Sequence, residues 1–422
     1  MSFLTWKRIN FNYNYHMLKI YVCGPTVYDH IHIGNMRPIL LFDLILKAVR
    51  YKKIDYFFLH NITDIDDKII NKAISENKSE KEVSDFFTNA YLDLLKQANI
   101  DTITKIEKVT DNLDLIENYL DSLSQNGSTY AQDDDLLFSV EKYQNYYGTV
   151  SHQKLDEMFF EENSANKNFP ADFALWKNTK VGVKYNSKFG AGRPGWHTEC
   201  SALIYKYFKD EGVHIHGGGI DLIFPHHENE NIQHFALTNK PIAQEWLRCG
   251  QINLYGEKMS KSKGNIIKAK AFFDEHKVDV YRTILLNSTI LGPINLNEDL
   301  IKSANAFNLK IRRIAFYSFL NSKADDTTNY EIVTNIINLV YERDFSKFMF
   351  EVNKLIKEFN KTKSIEIALS LIEVFKILGY RDTFENFEVL KPIFEEWSQL
   401  VDAKEYEKAD ALRVKLQKEK II

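Results

Sequence analysis

Apolar positions in the first sixty residues predict a strand, a helix and a second strand. Residues 18–23 and 54–59 are short apolar runs rich in β-branched and aromatic side chains, and the first ends at a Gly-Pro pair. Between them lies an apolar run of helical length that follows Pro38, a residue common in a first helical turn. Strand, helix and strand in this order form a βαβ unit, so a parallel sheet with a right-handed crossover is expected.

The same pattern returns later in the chain. Residues 213–216 and 246–254 are predicted strands, and residues 224–236 are a predicted helix between them. Residues 111–190 separate the two halves and are polar and irregular, as expected for an insertion. From residue 298 to the end, Gly and Pro nearly vanish and apolar residues recur at helical spacing, which predicts a helical bundle.

The predicted fold class is therefore α/β: a Rossmann-type parallel-sheet catalytic domain with an insertion, followed by a C-terminal α-helical bundle. Ligands should collect at the carboxyl ends of the parallel strands, where the two halves meet. The predicted units are a first half-domain at 1–110, an insertion at 111–190, a second half-domain at 191–256, a lysine-containing loop region at 257–297 and the bundle at 298–422.

Composition narrows the class of protein. The chain has 422 residues, of which 44% are hydrophobic, enough for two to four domains at roughly 100–200 residues each. It contains no apolar run of membrane-spanning length, and its first residues lack the pattern of a signal peptide. Three cysteines are too few for a disulfide framework, so a cytoplasmic protein is expected. The net charge of -4 decides nothing about a nucleic-acid partner.

The first candidate motif lies between the first strand and the first helix, at residues 26–35. Gly34 would let the backbone approach a ligand closely, and the helix that follows would offer its N–H groups to a phosphate. His32 would supply a further donor for charge developing on an α-phosphate. A short His-x-Gly match also recurs by chance in polar loops, so this motif alone does not establish a nucleotide site.

The second candidate motif is the loop at residues 258–265, Lys-Met-Ser-Lys-Ser-Lys-Gly-Asn. Lys258 and Lys261, flanked by small residues, form a flexible cationic loop suited to a polyphosphate. The order of residues is not that of a P-loop. A solvated charged loop is the alternative interpretation when the motif is taken alone.

A third group of residues points to a metal. His226 and Glu230 are four apart on the predicted helix and share a face, and Cys23 and Cys200 should reach the same crevice. Two thiolates, an imidazole and a carboxylate suit zinc better than magnesium or calcium. His197 and His227 remain rival ligands on spacing alone. Cys249 lies inside a predicted strand and is interpreted as core.

Together the two loops resemble the HIGH and KMSKS signatures of class I aminoacyl-tRNA synthetases, with Asn35 in place of the second histidine. Four further stretches are similar to cysteinyl-tRNA synthetases in the family's order, and the similarity covers most of residues 18–300. They are residues 21–29, 61–68, 190–200 and 217–230.

The resemblance implies roles for individual residues. It favours Cys23, Cys200, His226 and Glu230 as the ligands of one zinc ion over the two rival histidines. The implied catalytic residues are His32, Asn35, Lys258 and Lys261; the ATP site includes Gly34, Asp221 and Lys261; and the cysteine site includes Gly24, Thr63 and Trp196.

The implied activity is cysteine–tRNA ligation. The enzyme would activate L-cysteine with ATP and Mg²⁺ to cysteinyl-adenylate and transfer it to tRNA(Cys), with zinc selecting the substrate thiolate. Residues 257–297 would contact the tRNA stem and residues 298–422 would bind the tRNA as far as its anticodon. A monomer is expected. The alternatives are a cysteine-activating ligase that acts on an amino sugar and a silent paralogue that binds tRNA or nucleotide.

Overall fold

A computed structural model describes residues 17–158, 160, 167–259 and 264–422. Of the predicted site residues, Lys261 lies outside these ranges. Within them, none of the helices combines the length and the apolar character that crossing a membrane requires.

The described residues form strands and helices in both halves of the chain. The strands are β1 (Leu18–Val22), β2 (Tyr56–Ile62), β3 (Lys105–Lys108), β4 (Thr129–Gln132), β5 (Asp135–Phe138), β6 (Phe173–Lys177), β7 (Tyr185–Ser187), β8 (Gly190–Pro194), β9 (Val213–Gly219), β10 (Ala243–Cys249), β11 (Ile252–Leu254), β12 (Glu257–Lys258) and β13 (Ile294–Leu296). The helices are α1 (Ile33–Tyr51), α2 (Asp67–Glu76), α3 (Glu80–Gln97), α4 (Leu113–Gln125), α5 (Thr198–Phe208), α6 (Glu228–Thr238), α7 (Ala269–His276), α8 (Val278–Leu286), α9 (Glu298–Asn321), α10 (Tyr330–Tyr341), α11 (Phe345–Thr362), α12 (Ile365–Ile377), α13 (Phe387–Asp402) and α14 (Tyr406–Lys418).

The central sheet has the order β10-β9-β1-β2-β3, and all of its strands are parallel. The predicted βαβ unit, β1-α1-β2, is therefore confirmed. β2 and β3 lie in succession on one side of β1, and β9 and β10 lie in succession on its other side. A crevice is expected where the strand order reverses, between β1 and β9.

Helix α1 packs into the centre of the molecule. Apolar side chains cover most of its circumference because it lies between the sheet and the helices α8 and α10. It begins at Ile33, not at Pro38 as the sequence analysis predicted. The His32 imidazole caps its first turn, which supplies a helix start that the proline rule does not consider. Gly34 and Asn35 therefore belong to the helix itself.

Two predicted boundaries in the second half are also wrong. Helix α6 begins at Glu228, because Phe224 precedes Pro225 and takes an extended conformation that a helix cannot contain. The predicted strand at 246–254 is two strands separated by Gly250 and Gln251. A Cβ at Gly250 would lie 2.2 Å from the carbonyl oxygen of Gly292, so the close backbone approach requires glycine there.

The described residues of the insertion form regular elements, contrary to the irregular segment that its polarity suggested. Helix α4 precedes an antiparallel sheet with the order β4-β5-β6-β8-β7, and this sheet extends to Pro194. Each strand has only three to five residues, too few to show a clear alternation. The core of this sheet, with Phe138 and Trp176, packs against Ala202 of α5 and Ile232 of α6. The insertion therefore rests on two helices of the catalytic half.

Helices α9 to α14 form the predicted C-terminal bundle. A buried ionic network joins α1 to α8, the helix that precedes the bundle. The Asp43 carboxylate accepts hydrogen bonds from Lys47 Nζ at 3.1 Å, Arg282 Nη1 at 2.9 Å and the Thr102 hydroxyl at 2.9 Å. The side chains of Asp43 and Arg282 are 0% exposed, so each charge depends on the other for compensation.

We predict that Asp43→Asn lowers the free energy of unfolding by about 3–5 kcal/mol, because it leaves the buried Arg282 guanidinium without its counter-ion, whereas Lys47 keeps its ion pair with Asp101. Urea unfolding followed by tryptophan fluorescence would measure the change. Glu298→Gln is the control, since its ion pair with Lys302 is exposed, and it should leave the urea midpoint in place. Equal midpoints for the two variants would contradict the assigned role of Asp43.

Candidate active site and metal centre

A cavity of about 400 Å³ opens at the carboxyl edge of the central sheet. Its walls come from the segments that follow β1, β9 and β10, the first turns of α1, Lys258 of β12 and Met259, which follows β12. The structure brings eight of the predicted site residues to this one cavity: Cys23, Gly24, His32, Gly34, Asn35, Trp196, Asp221 and Lys258. The remaining described ones do not line the cavity: Thr63 pairs with Thr26 of its wall, and Cys200, His226 and Glu230 cluster with Cys23.

The four predicted metal ligands meet at one end of the cavity. Cys23 follows β1, Cys200 is in the first turn of α5, His226 lies in the turn before α6, and Glu230 is in the first turn of α6. One donor atom from each lies within 4.8 Å of the others. The cluster could therefore hold a metal ion.

The distances to sulfur within the cluster are those expected between ligands of one metal ion, whereas His226 and Glu230 are within direct hydrogen-bond distance. His226 Nε2 is 3.6 Å from both thiol sulfurs and 2.7 Å from Glu230 Oε1. Cys23 Sγ is 3.5 Å from Glu230 Oε1. Cys200, His226 and Glu230 are buried, whereas Cys23 is half-buried and reaches the cavity. Anything bound by the cluster would be approached from the Cys23 side.

The rival histidines occupy different positions. His197 Nδ1 is 3.0 Å from His226 Nδ1, so it lies behind the His226 ring and away from the thiols. His227 Nε2 is 3.7 Å from Cys23 Sγ and forms a second possible cluster with Cys23 and His216. His216 was not identified from the sequence, yet its Nε2 lies 2.6 Å from Glu230 Oε2. The sequence signal that could have identified His216 is its position as a polar residue in the predicted strand at 213–216.

Charges in this buried cluster are strongly coupled. Burial would raise the pKa of Glu230, but the imidazoles of His216 and His226 outweigh it and hold that pKa well below its usual value. Burial likewise opposes protonation of His226, and the Glu230 carboxylate and the Cys23 sulfur reverse this and raise its pKa to about 10. Burial raises the pKa of the Cys200 thiol. Such a cluster must release protons when a metal binds.

The Asn61 side chain connects the segments around the predicted cysteine site. Its Oδ1 accepts from Tyr21 Oη at 2.9 Å and from the Gly24 backbone N–H at 2.7 Å. Its Nδ2 donates to Thr63 Oγ1 at 3.2 Å and to Glu199 Oε1 at 3.3 Å. This buried amide therefore has partners at both ends and fixes the backbone beside Cys23.

Thr63 and Trp196 contribute in different ways. Thr63 is 2% exposed, and its hydroxyl donates to Glu199, so it supports the cavity wall from behind. Trp196 is 41% exposed and stacks on the His226 ring, with the ring centroids 4.3 Å apart. Of these two predicted cysteine-site residues, Trp196 is therefore the one that faces the cavity.

The opposite end of the cavity is suited to a phosphate. His32 Nδ1 accepts the backbone N–H of Asn35 at 3.3 Å, so the neutral ring carries its proton on Nε2 and can donate from there. A Cβ at Gly34 would lie 2.9 Å from the His32 ring, which explains the glycine. Lys68, in the first turn of α2, adds a cation to this wall; the sequence analysis did not single it out.

Comparisons with known proteins identify the family. The family model of the class I tRNA synthetase (C) catalytic domain matches residues 11–306. A cysteine–tRNA ligase of Mesomycoplasma hyopneumoniae is 43% identical over 95% of this chain and 96% of its own length. The chain belongs to the cysteinyl-tRNA synthetase family. A cysteine–tRNA ligase of Malacoplasma penetrans, 39% identical over 96% of this chain and 95% of its own length, is a further relative of this family.

Solved structures of other class I synthetases share the family's fold. A methionyl-tRNA synthetase from Mycobacterium tuberculosis, in complex with methionyl-adenylate, aligns with a TM-score of 0.58 at 13% identity, over 91% of this chain and 84% of that one. The LeuRS–tRNA–LeuAMS complex from Agrobacterium radiobacter aligns with a TM-score of 0.61 at 11% identity, over 86% and 83%. These likenesses support the Rossmann-type architecture and the helical C-terminal region.

His60 in the cavity wall generates a pH prediction. Burial lowers its pKa to about 4, and its ring nitrogens lie 2.8 Å from the Val22 carbonyl and 2.8 Å from the Tyr91 hydroxyl. Below pH 6.5 the His60 imidazole of the unfolded chain becomes protonated, whereas the His60 imidazole of the folded chain becomes protonated only near pH 4. Stability should therefore be complete above pH 6.5 and fall by about 3 kcal/mol as the pH approaches 4.

Urea midpoints measured at several pH values for wild type and His60→Gln would check this. The variant should lose that part of the pH dependence, so the two profiles should converge as the pH falls. Parallel profiles between pH 6.5 and 4 would contradict the assignment of a neutral buried imidazole.

Proposed function

We propose that this chain is a cysteine–tRNA ligase that uses zinc to select cysteine. One observation carries the proposal: a cluster of two thiols, an imidazole and a carboxylate meets the cavity at Cys23, and the same cavity is lined by His32, Gly34, Asn35 and Lys258 of the two signature motifs. Names of relatives that span nearly the whole chain support this function over an amino-sugar ligase or a silent paralogue.

Zinc fits the donor set. Sulfur and nitrogen ligands on a tetrahedral zinc are about 3.6 Å apart, from Zn–S and Zn–N lengths of about 2.3 and 2.0–2.1 Å. Both sulfur-to-His226 distances are 3.6 Å, and Cys23 Sγ to Glu230 Oε1 is 3.5 Å. Cys23, Cys200, His226 and Glu230 would hold the ion. Bound zinc would lower the pKa of a substrate thiol below its free value of about 8.5, so that cysteine binds as the thiolate.

Residues of this chain would provide the rest of the selection. Trp196 covers the His226 ring and faces the cavity, and Asn61 holds the Gly24 backbone beside Cys23. Serine has a hydroxyl in place of the thiol, so it lacks the sulfur atom that the proposed zinc would bind. Sites built on one specific polar contact reject analogues that lack it by roughly 10⁴–10⁵.

The activation step follows from the opposite wall. A cysteine carboxylate oxygen attacks the α-phosphorus of ATP, pyrophosphate leaves, and cysteinyl-adenylate forms. His32 Nε2 and Lys258, both in the cavity wall, would stabilise the phosphate charge, with Asn35 as a further donor and Gly34 permitting close approach. Asp221 would face the nucleotide, Lys261 would complete the cationic loop, and Mg²⁺ would accompany the ATP.

The transfer step requires a tRNA. A terminal ribose hydroxyl attacks the acyl carbon, and AMP leaves with the bonding electrons. Residues 257–297 are assigned to the tRNA stem and residues 298–422 to binding of tRNA(Cys) along its length. Helix α9 alone has 24 residues, about 36 Å at 1.5 Å per residue, which supports a long reach from the active site. We expect the enzyme to act as a monomer in the cytoplasm.

We predict that the wild-type protein contains one zinc per chain and charges tRNA(Cys) with cysteine and not with serine. Cys200→Ala should lose most of the zinc and at least about tenfold in cysteine-dependent pyrophosphate exchange, because it removes one of four ligands. Metal analysis and exchange on the same preparations would measure both.

Cys249→Ala is the matched control, since Cys249 is also buried but lies in the main core at the end of β10. It should keep the zinc and the exchange activity. Full zinc in the Cys200 variant would contradict the ligand assignment. Ligation of cysteine to an aminoglycoside without any charging of tRNA would contradict the function.

A further inference from the structure

Glu228 is a buried carboxylate that the proposed chemistry does not use. Its side chain is 0% exposed, yet it lies between two proposed metal ligands on the chain, His226 and Glu230. The Glu228 carboxylate accepts three backbone N–H groups of the insertion: Gly148 at 2.9 Å, Val150 at 3.1 Å and Ser151 at 2.7 Å. We call residues 147–151 the anchoring loop.

The shape of the anchoring loop suits a carboxylate. Gly148 has a φ of +99°, and a Cβ there would lie 2.2 Å from the carbonyl oxygen of Gln153. A residue with a side chain would not fit, so the turn that aims the three N–H groups at one point depends on glycine. Hydrogen bonds to an ionised acceptor are stronger than neutral ones, and these are shielded from water.

A second set of contacts joins the loop to the cluster. The Tyr147 hydroxyl donates to Asn229 Oδ1, on the residue next to Glu228. Arg248 lies 3.5 Å from the Val150 carbonyl through Nη2 and 3.4 Å from His227 Nδ1 through Nε. His227 in turn lies 3.7 Å from Cys23 Sγ. The anchoring loop therefore contacts Asn229 directly and is linked to His227 through Arg248.

We propose that Glu228 and the anchoring loop form a positioning element that holds the first turn of α6, and with it His226 and Glu230, in the geometry required for zinc. Glu228 touches no substrate; it acts through the two ligands on either side of it. The inference rests on the proposed function and gives the insertion a role in amino-acid selection.

Two consequences follow. Weakening the Glu228 contacts should loosen zinc and raise the KM for cysteine, because groups that orient metal ligands are typically worth about 10- to 100-fold in affinity or activity. Coupling is also reciprocal, so bound zinc should protect the anchoring loop from opening.

The first experiment compares Glu228→Gln with Asp279→Asn. Asp279 is a matched control because it is also a buried carboxylate that binds backbone N–H groups, those of Arg381 at 3.2 Å and Thr383 at 2.8 Å, beside the bundle. Zinc release to a chromogenic chelator should be about 10- to 100-fold faster in Glu228→Gln than in wild type. In that variant the KM for cysteine in pyrophosphate exchange should rise while kcat stays within about threefold. Asp279→Asn should match wild type in both measurements.

The second experiment needs no variant and decides the matter if Glu228→Gln does not fold. Hydrogen exchange of the wild-type protein is followed before and after zinc is removed. Removal should accelerate exchange at the amides of Gly148, Val150 and Ser151 and leave those of Arg381 and Thr383 unchanged.

Two results would overturn the inference: zinc release from folded Glu228→Gln within about threefold of that from Asp279→Asn, or unchanged protection of the anchoring loop after zinc removal. Both are measured against a wild-type protein that binds zinc and charges tRNA. A wild-type protein that does neither would overturn the proposed function, which is a separate result.

Discussion

The arrangement of the active site depends on the burial of one carboxylate, Glu230. An isolated buried carboxylate costs several kcal/mol even after relaxation, and this one is 0% exposed. Its two oxygens lie 2.7 Å from His226 and 2.6 Å from His216. These partners come from the turn before α6 and from β9, so the charge can be compensated only when both segments are in place. The same packing of segments also brings together Cys23, which follows β1, and Cys200 of α5.

The parallel sheet makes this packing possible. Because its strands all point the same way, the segments after β1, β9 and β10 leave the sheet at one edge. One end of the resulting cavity carries the Cys23 thiol, and the other has the His32 imidazole and two lysines, Lys68 and Lys258, in its wall. Cysteine offers a thiol at one end and a carboxylate at the other, and ATP offers the phosphate that the carboxylate attacks. In the proposed function, the two ends of the cavity would face these groups in that order.

The insertion and the bundle support this centre from outside. Phe138 and Trp176 of the insertion pack on α5 and α6, the helices that carry Cys200 and Glu230. On the other side, Asp43 and Arg282 join α1 to α8, and Asp279 joins α8 to the segment at Thr383. The insertion is therefore packed on helices that carry site residues, and α8 is joined to α1, which carries Gly34 and Asn35.

Sequence alone predicted the parts of this site that depend on local periodicity. His226 and Glu230 are four apart and do meet, and the β1-α1-β2 unit has the expected topology. His216 was missed because its importance comes from a contact across two elements, which no local pattern encodes. The insertion's sheet was missed because strands of three to five residues carry too little alternation. The start of α1 was misplaced because a histidine side chain caps it. Lys261 lies outside the described residues, and its role stays a prediction.

X-ray absorption at the zinc edge would test the central claim, that a metal held by this cluster recognises the cysteine thiol. The zinc-loaded protein is measured alone, with cysteine and with serine. The account predicts two sulfur ligands in the free enzyme, three with cysteine and two with serine. A sulfur count that does not change when cysteine saturates the enzyme would contradict it.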